Sequence, residues 1–205
     1  MALLQQHELD AIAESVTEVE KHTDAELVTV LAKRADHYYY IPTLWAAVIA
    51  LLIPLLLNFT PLWLDGHDLL LIQWIAFIVL AVVLRYQPIM MRLVPKHVRY
   101  WRASNLARRM FLENNLHHTK GETGVLIFVA EAEQYVEIIA DRGIDRHVSA
   151  EEWQAIINNF TARVKAKQTR TGFIECIEAC GDLLTIHVPA TSEKNELPNH
   201  LIVLD

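Results

Sequence analysis

Two long apolar runs in the middle of the chain constrain its fold more than any other feature. Neither Leu44 to Phe59 nor Leu69 to Leu84 contains a charged residue, and only Gln73 interrupts the second run. Extended back to Ile41, the first run has about 19 residues, enough for a helix rising ~1.5 Å per residue to cross a bilayer core. The short polar turn of residues 60–68 joins them, so the pattern predicts a transmembrane helical hairpin. The alternative is a pair of buried core helices, which normally keep a polar face in so small a domain.

The basic residues around these runs predict how the hairpin is oriented. The connecting turn has no Lys or Arg, whereas residues 85–109 include seven and no acid. By the positive-inside rule, both ends of the hairpin then face the cytoplasm. We therefore predict a protein that crosses the membrane twice, with both termini and the soluble part in the cytoplasm.

The rest of the sequence predicts an α/β domain that the hairpin interrupts. Apolar residues recur with helical spacing in residues 3–21, 97–115, 149–167 and 172–187, and apolar segments at 25–32, 124–130 and 135–140 predict strands. A nearly continuous apolar first strand is typical of a strand covered on both faces. The link between the last two strands is so short that they must pair antiparallel. The apolar stripe expected for residues 97–115 comprises Val98, Trp101, Leu106, Met110 and Phe111.

Charge is sorted along the chain, which indicates a membrane surface as a partner. The formal net charge is −7, although the segment after the hairpin is strongly basic. Nucleic acid is therefore not an expected partner, whereas anionic lipid headgroups are. Chain connectivity brings a second basic group to the same side as the first. The predicted membrane-surface residues are Arg92, Lys96, Arg99, Arg102, Arg163, Lys165, Lys167 and Arg170.

Candidate chemistry rests on four acidic residues in predicted loops and strand ends. Asp24, Glu26, Asp141 and Asp145 could supply the oxygen ligands that a hard cation such as calcium prefers. The alternative is a set of solvated loop acids, one of them paired with Arg142. The ten histidines show no zinc-binding spacing, and no Ser or Cys has the context of a nucleophile. Cys176 and Cys180, four residues apart in an apolar helix, favour buried thiols over a disulfide.

Four stretches of the chain follow, in order, a set of recurring family motifs. Thr23–Val28 is similar to a T-G-A-E strand opening, and Glu122–Ile127 to an N-G-V-L strand. Glu137–Ile144 resembles an I-x-x-G-R-G-L turn, and Asn195–Asn199 resembles the tails of a bacterial subgroup with two inserted helices. In this order the stretches resemble the TPM domain family, whose members include plant thylakoid-lumen proteins of photosystem repair and bacterial membrane proteins.

The resemblance implies a three-layer α/β/α sandwich with a small mixed sheet. The TPM-like domain would comprise residues 1–36 and 95–190, with the hairpin at 37–94 and a C-terminal tail at 191–205. Phosphatase activity, calcium binding and the assembly or repair of membrane complexes are all associated with the family. The leading hypothesis is a non-catalytic accessory protein of the bacterial inner membrane that assists another membrane protein or complex. The alternative is a metal-dependent, acid-type phosphatase that uses the four acids.

Overall fold

The computed structural model describes residues 4–61, 63–119, 121–191 and 200–204, and the chain divides into two compact units. The sheet unit comprises the residues up to Ala35 and from Tyr100 onward, and the hairpin unit is Asp36–Arg99. The helices are α1 (Gln6–Glu20), α2 (Tyr40–Leu57), α3 (Gly66–Val83), α4 (Gln87–Leu93), α5 (Lys96–Glu113), α6 (Arg142–Asp145), α7 (Ala150–Lys165) and α8 (Thr169–His187). The strands are β1 (Glu26–Ala32), β2 (Gly124–Ala130), β3 (Tyr135–Ala140) and β4 (Leu201–Leu204).

The sheet has the strand order β3-β2-β1-β4 and is mixed. β1 pairs in parallel with both β2 and β4, and β2 pairs antiparallel with β3, as the short link between them requires. Every residue of β1 and β2 is buried. The two central strands are therefore covered on both faces, in agreement with their continuous apolar sequence.

Helices cover the two faces of the sheet with different side chains. On one face, α1, α7 and α8 contribute Ile12, Phe160 and Phe173 to the larger cluster of buried apolar residues. On the other face, α5 packs Ala103 and Ala107 against Val30 and Phe128 of the sheet. The small alanine side chains let this helix lie close to the strands. The predicted three-layer α/β/α fold with a small mixed sheet is confirmed.

The hairpin unit consists of α2 and α3 with the short helix α4. Both long helices have 18 residues and are apolar enough to cross a membrane, with mean hydropathies of 2.2 and 2.0. None of the residues of α3 is buried, and α2 buries only a few. Tyr38 and Ile41, near the start of the unit, pack with Met90 and Val94, near its end, in a small buried cluster. These helices thus leave their apolar side chains exposed, unlike the core helices of a soluble domain.

Three features differ from the sequence predictions. Trp101 does not belong to the buried face of α5: it is 59% exposed and its ring lies 5.1 Å from the guanidinium carbon of Arg102. The buried face is made instead by residues that include two alanines, whose low hydrophobicity hides them in a pattern search. Helix α4 forms within residues 37–94, where the sequence analysis had predicted only the two helices of the hairpin. Strand β4 forms inside the segment assigned to a tail, and residues 192–199, including the family-like stretch Asn195–Asn199, lie outside the described residues.

Candidate functional site

The four predicted cation ligands lie toward one end of the sheet, where β1 and β2 begin and β3 ends. Glu26 is in register with Gly124 across β1 and β2, and the amide of Asp141 donates to the carbonyl of Gly124 at 2.8 Å. The following turn is tied to the same end, because the amide of Gly143 donates to the carbonyl of Glu122 at 2.9 Å. The topology therefore brings the acid-bearing segments together, as their connectivity predicts.

The side chains of these acids nevertheless have separate local roles. The Asp24 carboxylate accepts from the backbone amide of Thr191 at 3.0 Å and also from the Thr191 hydroxyl. Asp141 caps α6 by accepting from the amide of Arg142 at 2.8 Å, and its Oδ2 is buried with no hydrogen-bond partner in the described part of the chain. Within residues 4–61, 63–119, 121–191 and 200–204, no three His, Cys, Asp or Glu side chains come close enough together to hold a metal ion.

The opposite end of the sheet is where the chain leaves the sheet unit and returns to it. The link between β2 and β3 packs against the end of β1, since the amide of Glu131 donates to the carbonyl of Ala32 at 2.9 Å. The buried carboxylate of Glu133 accepts from the amide of Ala35, the last residue before the hairpin unit, at 3.1 Å. Where the chain returns, the ring of Tyr100 lies 5.1 Å from that of Tyr135. Glu133 therefore fixes the backbone at Ala35, where the chain leaves the sheet unit. Nothing in the sequence around Glu133 indicated this role.

The turn between α7 and α8 lies at this same end of the sheet unit. The hydroxyl of Thr169 donates to the Glu131 carboxylate at 3.4 Å, which places the turn against the β2–β3 link. Three predicted membrane-surface residues of this turn, Lys165, Lys167 and Arg170, are exposed. The end of the sheet unit from which the chain enters the hairpin therefore also carries an exposed basic turn.

Arg163, the fourth basic residue predicted for this surface, has a different role. Its guanidinium donates to both oxygens of the Glu175 carboxylate, at 2.9 and 2.7 Å, and so joins α7 to α8. Four further residues of the predicted surface follow the hairpin helices in the sequence. Of these, Arg92 and Lys96 are exposed and Arg99 and Arg102 are partly buried. Five of the eight predicted residues are therefore exposed: Arg92, Lys96, Lys165, Lys167 and Arg170. Arg163 is not among them, because its guanidinium binds Glu175 of α8.

A polar cluster on the α5 face was missed by the sequence analysis. The Glu137 carboxylate on β3 accepts from the Ser104 hydroxyl at 3.2 Å and from the Tyr135 hydroxyl at 3.1 Å. Burial raises the pKa of Glu137, and burial together with the nearby Glu137 charge raises the pKa of Tyr135 to about 12. The sequence offered one signal for this cluster: Glu137 is a lone acid in an otherwise largely apolar strand. Such a group is stable only with hydrogen-bond partners.

An open cleft of about 610 Å³ lies between β3 and the start of α7. Ile138, Ile157 and Trp153 form apolar parts of its lining, and Asp145 and His147 are among the polar ones. The Trp153 side chain is largely buried, and its indole nitrogen has no hydrogen-bond partner among the described residues. No sequence motif pointed to this cleft.

The two cysteines are free and buried in α8, as their spacing indicates. Hydrogen bonding with the Cys180 thiol and burial both raise the pKa of Cys176. Since the thiolate is the reactive form and both thiols are buried, neither is placed to act as a nucleophile.

Comparisons with known proteins agree with the fold. The sequence model of the TPM domain family matches residues 89–183, so the resemblance seen in the sequence is confirmed over that segment. Among solved structures, the chain is similar to the NMR structure of the BA42 protein from the psychrophilic bacterium Bizionia argentinensis, with a TM-score of 0.61 and 20% sequence identity. The similarity covers 98% of this chain and 94% of BA42. None of the curated proteins matches the sequence.

Proposed function

We propose that this chain, which carries a TPM domain match, is a membrane-anchored accessory protein that binds or assists another membrane protein or complex. The observation that carries the proposal is the hairpin unit, whose two 18-residue helices expose apolar side chains along their length. In water this surface would be strongly unfavourable, because each Å² of apolar area costs about 25 cal/mol to expose. A bilayer supplies the apolar surroundings that these helices need.

The sheet unit supports the anchoring role through the position of its basic turn. Lys165, Lys167 and Arg170 are exposed at the end where the chain enters and leaves the hairpin. Anionic headgroups attract each nearby Lys or Arg by about 1 kcal/mol. We propose that the sheet unit lies on the cytoplasmic side of the bacterial inner membrane, with both termini, and that nucleic acid is not a partner.

The acids offer less support for the alternative, a metal-dependent phosphatase. Catalysis with a metal requires several oxygen ligands to converge on the ion. Instead, Asp24 accepts a hydrogen bond from the backbone amide of Thr191, and Asp141 accepts one from that of Arg142. Glu26 is buried in β1. The geometry therefore favours a role for these residues in holding segments together, with calcium binding by Asp24, Glu26, Asp141 and Asp145 as the competing hypothesis.

Topology mapping on the full-length chain tests the anchoring. Gly66→Cys introduces a thiol at the first residue of α3, where a Cβ atom meets nothing within 4 Å. Glu14→Cys, on the exposed side of α1, is the matched control, and the unaltered chain gives the background because its two cysteines are buried. In intact cells, an impermeant maleimide should label Gly66→Cys and not Glu14→Cys, and carbonate washing should leave the protein in the membrane.

The accessory role needs a second measurement. A photo-crosslinker placed at the exposed Ile78 of α3 should form adducts with a membrane protein in cells, whereas the same crosslinker at the exposed Gln154 of α7 serves for comparison. Release of the chain by carbonate would overturn the anchoring, and labelling of Glu14→Cys alone would overturn the proposed orientation. Hydrolysis of a phosphomonoester by the purified chain that Asp141→Asn abolishes, with folding unchanged, would favour the phosphatase.

A further inference from the structure

Gln73 is the one strongly polar residue between Leu69 and Val83 and lies near the middle of α3. Between Leu69 and Val83, only Gln73 and the adjacent Trp74 have side chains that form conventional hydrogen bonds. Gln73 is the eighth residue from Gly66, so it lies about 10 Å along the helix from its start. If α3 crosses a bilayer, this amide lies within the hydrocarbon core. The inference below therefore rests on the proposed membrane insertion.

The Gln73 side chain lines an open groove of about 270 Å³ between α2 and α3. The rest of the lining is apolar or aromatic: Ala47, Ala50, Leu51, Trp74 and Phe77. Within the described part of the chain, the Gln73 amide makes no hydrogen bond. The hairpin by itself therefore leaves a strong donor and a strong acceptor without partners in an apolar groove.

An amide in this position requires a partner, because hydrocarbon offers no group that can hydrogen-bond with it. A primary amide has both a carbonyl oxygen and an NH₂ group, so two such amides can satisfy each other in a symmetric pair. The amide of Gln73 is therefore chemically self-complementary. Trp74 is 62% exposed, while Ala47 and Ala50 contribute small side chains to the same groove. Small residues of this kind permit close helix approach within membranes.

We propose that the groove around Gln73 is the docking site for the hairpin of a second copy of this chain. The two Gln73 amides hydrogen-bond to each other across a two-fold axis, and the large ring of Trp74 in each copy packs over the alanines of the other. The accessory protein would then act in the membrane as a homodimer. The site for another membrane protein would lie on the surfaces that the dimer leaves exposed.

The test measures self-association of the full-length chain in lipid vesicles by energy transfer between donor- and acceptor-labelled copies, as a function of the protein-to-lipid ratio. Gln73→Leu keeps the side-chain size and removes the amide, and it should weaken dimerisation about ten-fold if two interhelical hydrogen bonds are lost. Gln73→Asn keeps an amide at the same position and should retain most of the dimer.

A matched control moves the amide to another face of the helix. Ile75 is 61% exposed and does not line the groove, so Gln73→Leu combined with Ile75→Gln should associate as weakly as Gln73→Leu alone. Each variant is first checked for resistance to carbonate extraction and for an unchanged circular dichroism spectrum. Equal dimerisation of Gln73→Leu and the unaltered chain would overturn the proposal.

Two further outcomes separate this proposal from the proposed function. A chain that resists carbonate but remains monomeric in vesicles would overturn the dimer and leave the membrane anchor intact. Suppose instead that the chain is monomeric and that Gln73→Leu abolishes the crosslink from Ile78 to another membrane protein. This result would also overturn the dimer, and the occupant of the groove would be a helix of that other protein. A chain that carbonate releases from the membrane would overturn both proposals.

Discussion

Gly143 occupies a position where no side chain fits, and replacing it should destabilise the sheet unit. A Cβ atom added at Gly143 would lie 2.2 Å from the carbonyl oxygen of Gly121 and 2.6 Å from that of Glu122. Carbon and oxygen atoms without a covalent bond rarely approach closer than about 3.3 Å, so the backbone would have to move by about 1 Å. The amide of Gly143 donates to the Glu122 carbonyl at 2.9 Å, and this movement would break that bond.

The magnitude follows from three terms. Overpacking costs about 1–3 kcal/mol, and the lost hydrogen bond costs about 1 kcal/mol. Alanine in place of glycine in the short helix α6 returns at most about 1 kcal/mol through the unfolded state and helix propensity. Together these terms span about 1–4 kcal/mol, so Gly143→Ala should lower the free energy of unfolding of the sheet unit by about 2–3 kcal/mol as the central value. Gly66→Ala is the matched control, because a Cβ atom there meets nothing within 4 Å, and it should change that free energy by less than about 0.5 kcal/mol.

The two cysteines provide an assay that reports on the sheet unit alone. Both are buried in α8, and the chain contains no others. A short pulse of maleimide at increasing urea concentrations, in mild detergent, labels them only when this unit unfolds. With a urea dependence of about 1–3 kcal/mol per M, Gly143→Ala should lower the midpoint by about 1 M or more. A midpoint within about 0.2 M of the unaltered chain, with Gly66→Ala equally unaffected, would refute the close approach seen at Gly143.

Three further predictions follow from charges and thiols in the sheet unit. Because burial raises the pKa of Glu137, the folded state holds this proton more tightly than the unfolded state, and stability should fall as the pH rises above the ordinary value of 4.5. Glu137→Gln should flatten this decrease, measured as the urea midpoint by circular dichroism from about pH 4 to about pH 8; an unchanged slope would exclude Glu137 as its source. Because both cysteines are buried and the pKa of Cys176 is raised, neither should react with maleimide in native conditions, and rapid native labelling counted by mass spectrometry would contradict their burial. In nanodiscs, anionic lipid should slow amide exchange in the α7–α8 turn, and Lys165→Gln combined with Arg170→Gln should remove the effect; equal exchange in zwitterionic and anionic lipid would argue against surface binding.

The sequence predicted secondary structure best in segments where a single requirement, such as burial on both faces or a helix cap, determines the residue types. β1 and β2 form close to the predicted positions because strands in the centre of a covered sheet are nearly all apolar. β3, at the edge of the sheet, forms close to its predicted position because the short link after β2 makes it pair antiparallel with β2. The start of α7 was predictable for a local reason. Ser149 caps the helix and Glu152 returns the hydrogen bond to its backbone, which is a pattern contained in four residues.

The features that escaped prediction depend on contacts between distant segments. β4 is only four residues long and becomes a strand by pairing with β1, which no local pattern could indicate. Trp101 is apolar and has the right spacing for the buried face of α5, yet the close packing of Ala103 and Ala107 on the sheet leaves it outside. In the same way, the partners of Asp24 and Glu133 lie 167 and 98 residues away in the sequence.

The acids of the sheet unit indicate how a hairpin can be inserted into this fold without disturbing it. Glu133 binds the amide of Ala35 just before the chain leaves, and Asp24 binds Thr191 at the other end of the sheet, so each carboxylate fixes a segment that would otherwise be loosely held. An insertion is best tolerated where the two chain ends are both anchored at the surface of an intact core. Tyr100 is anchored in this way by its contact with Tyr135. The apolar faces of the hairpin and the exposed bases of the α7–α8 turn are the surfaces that suit the bilayer we propose as their surroundings.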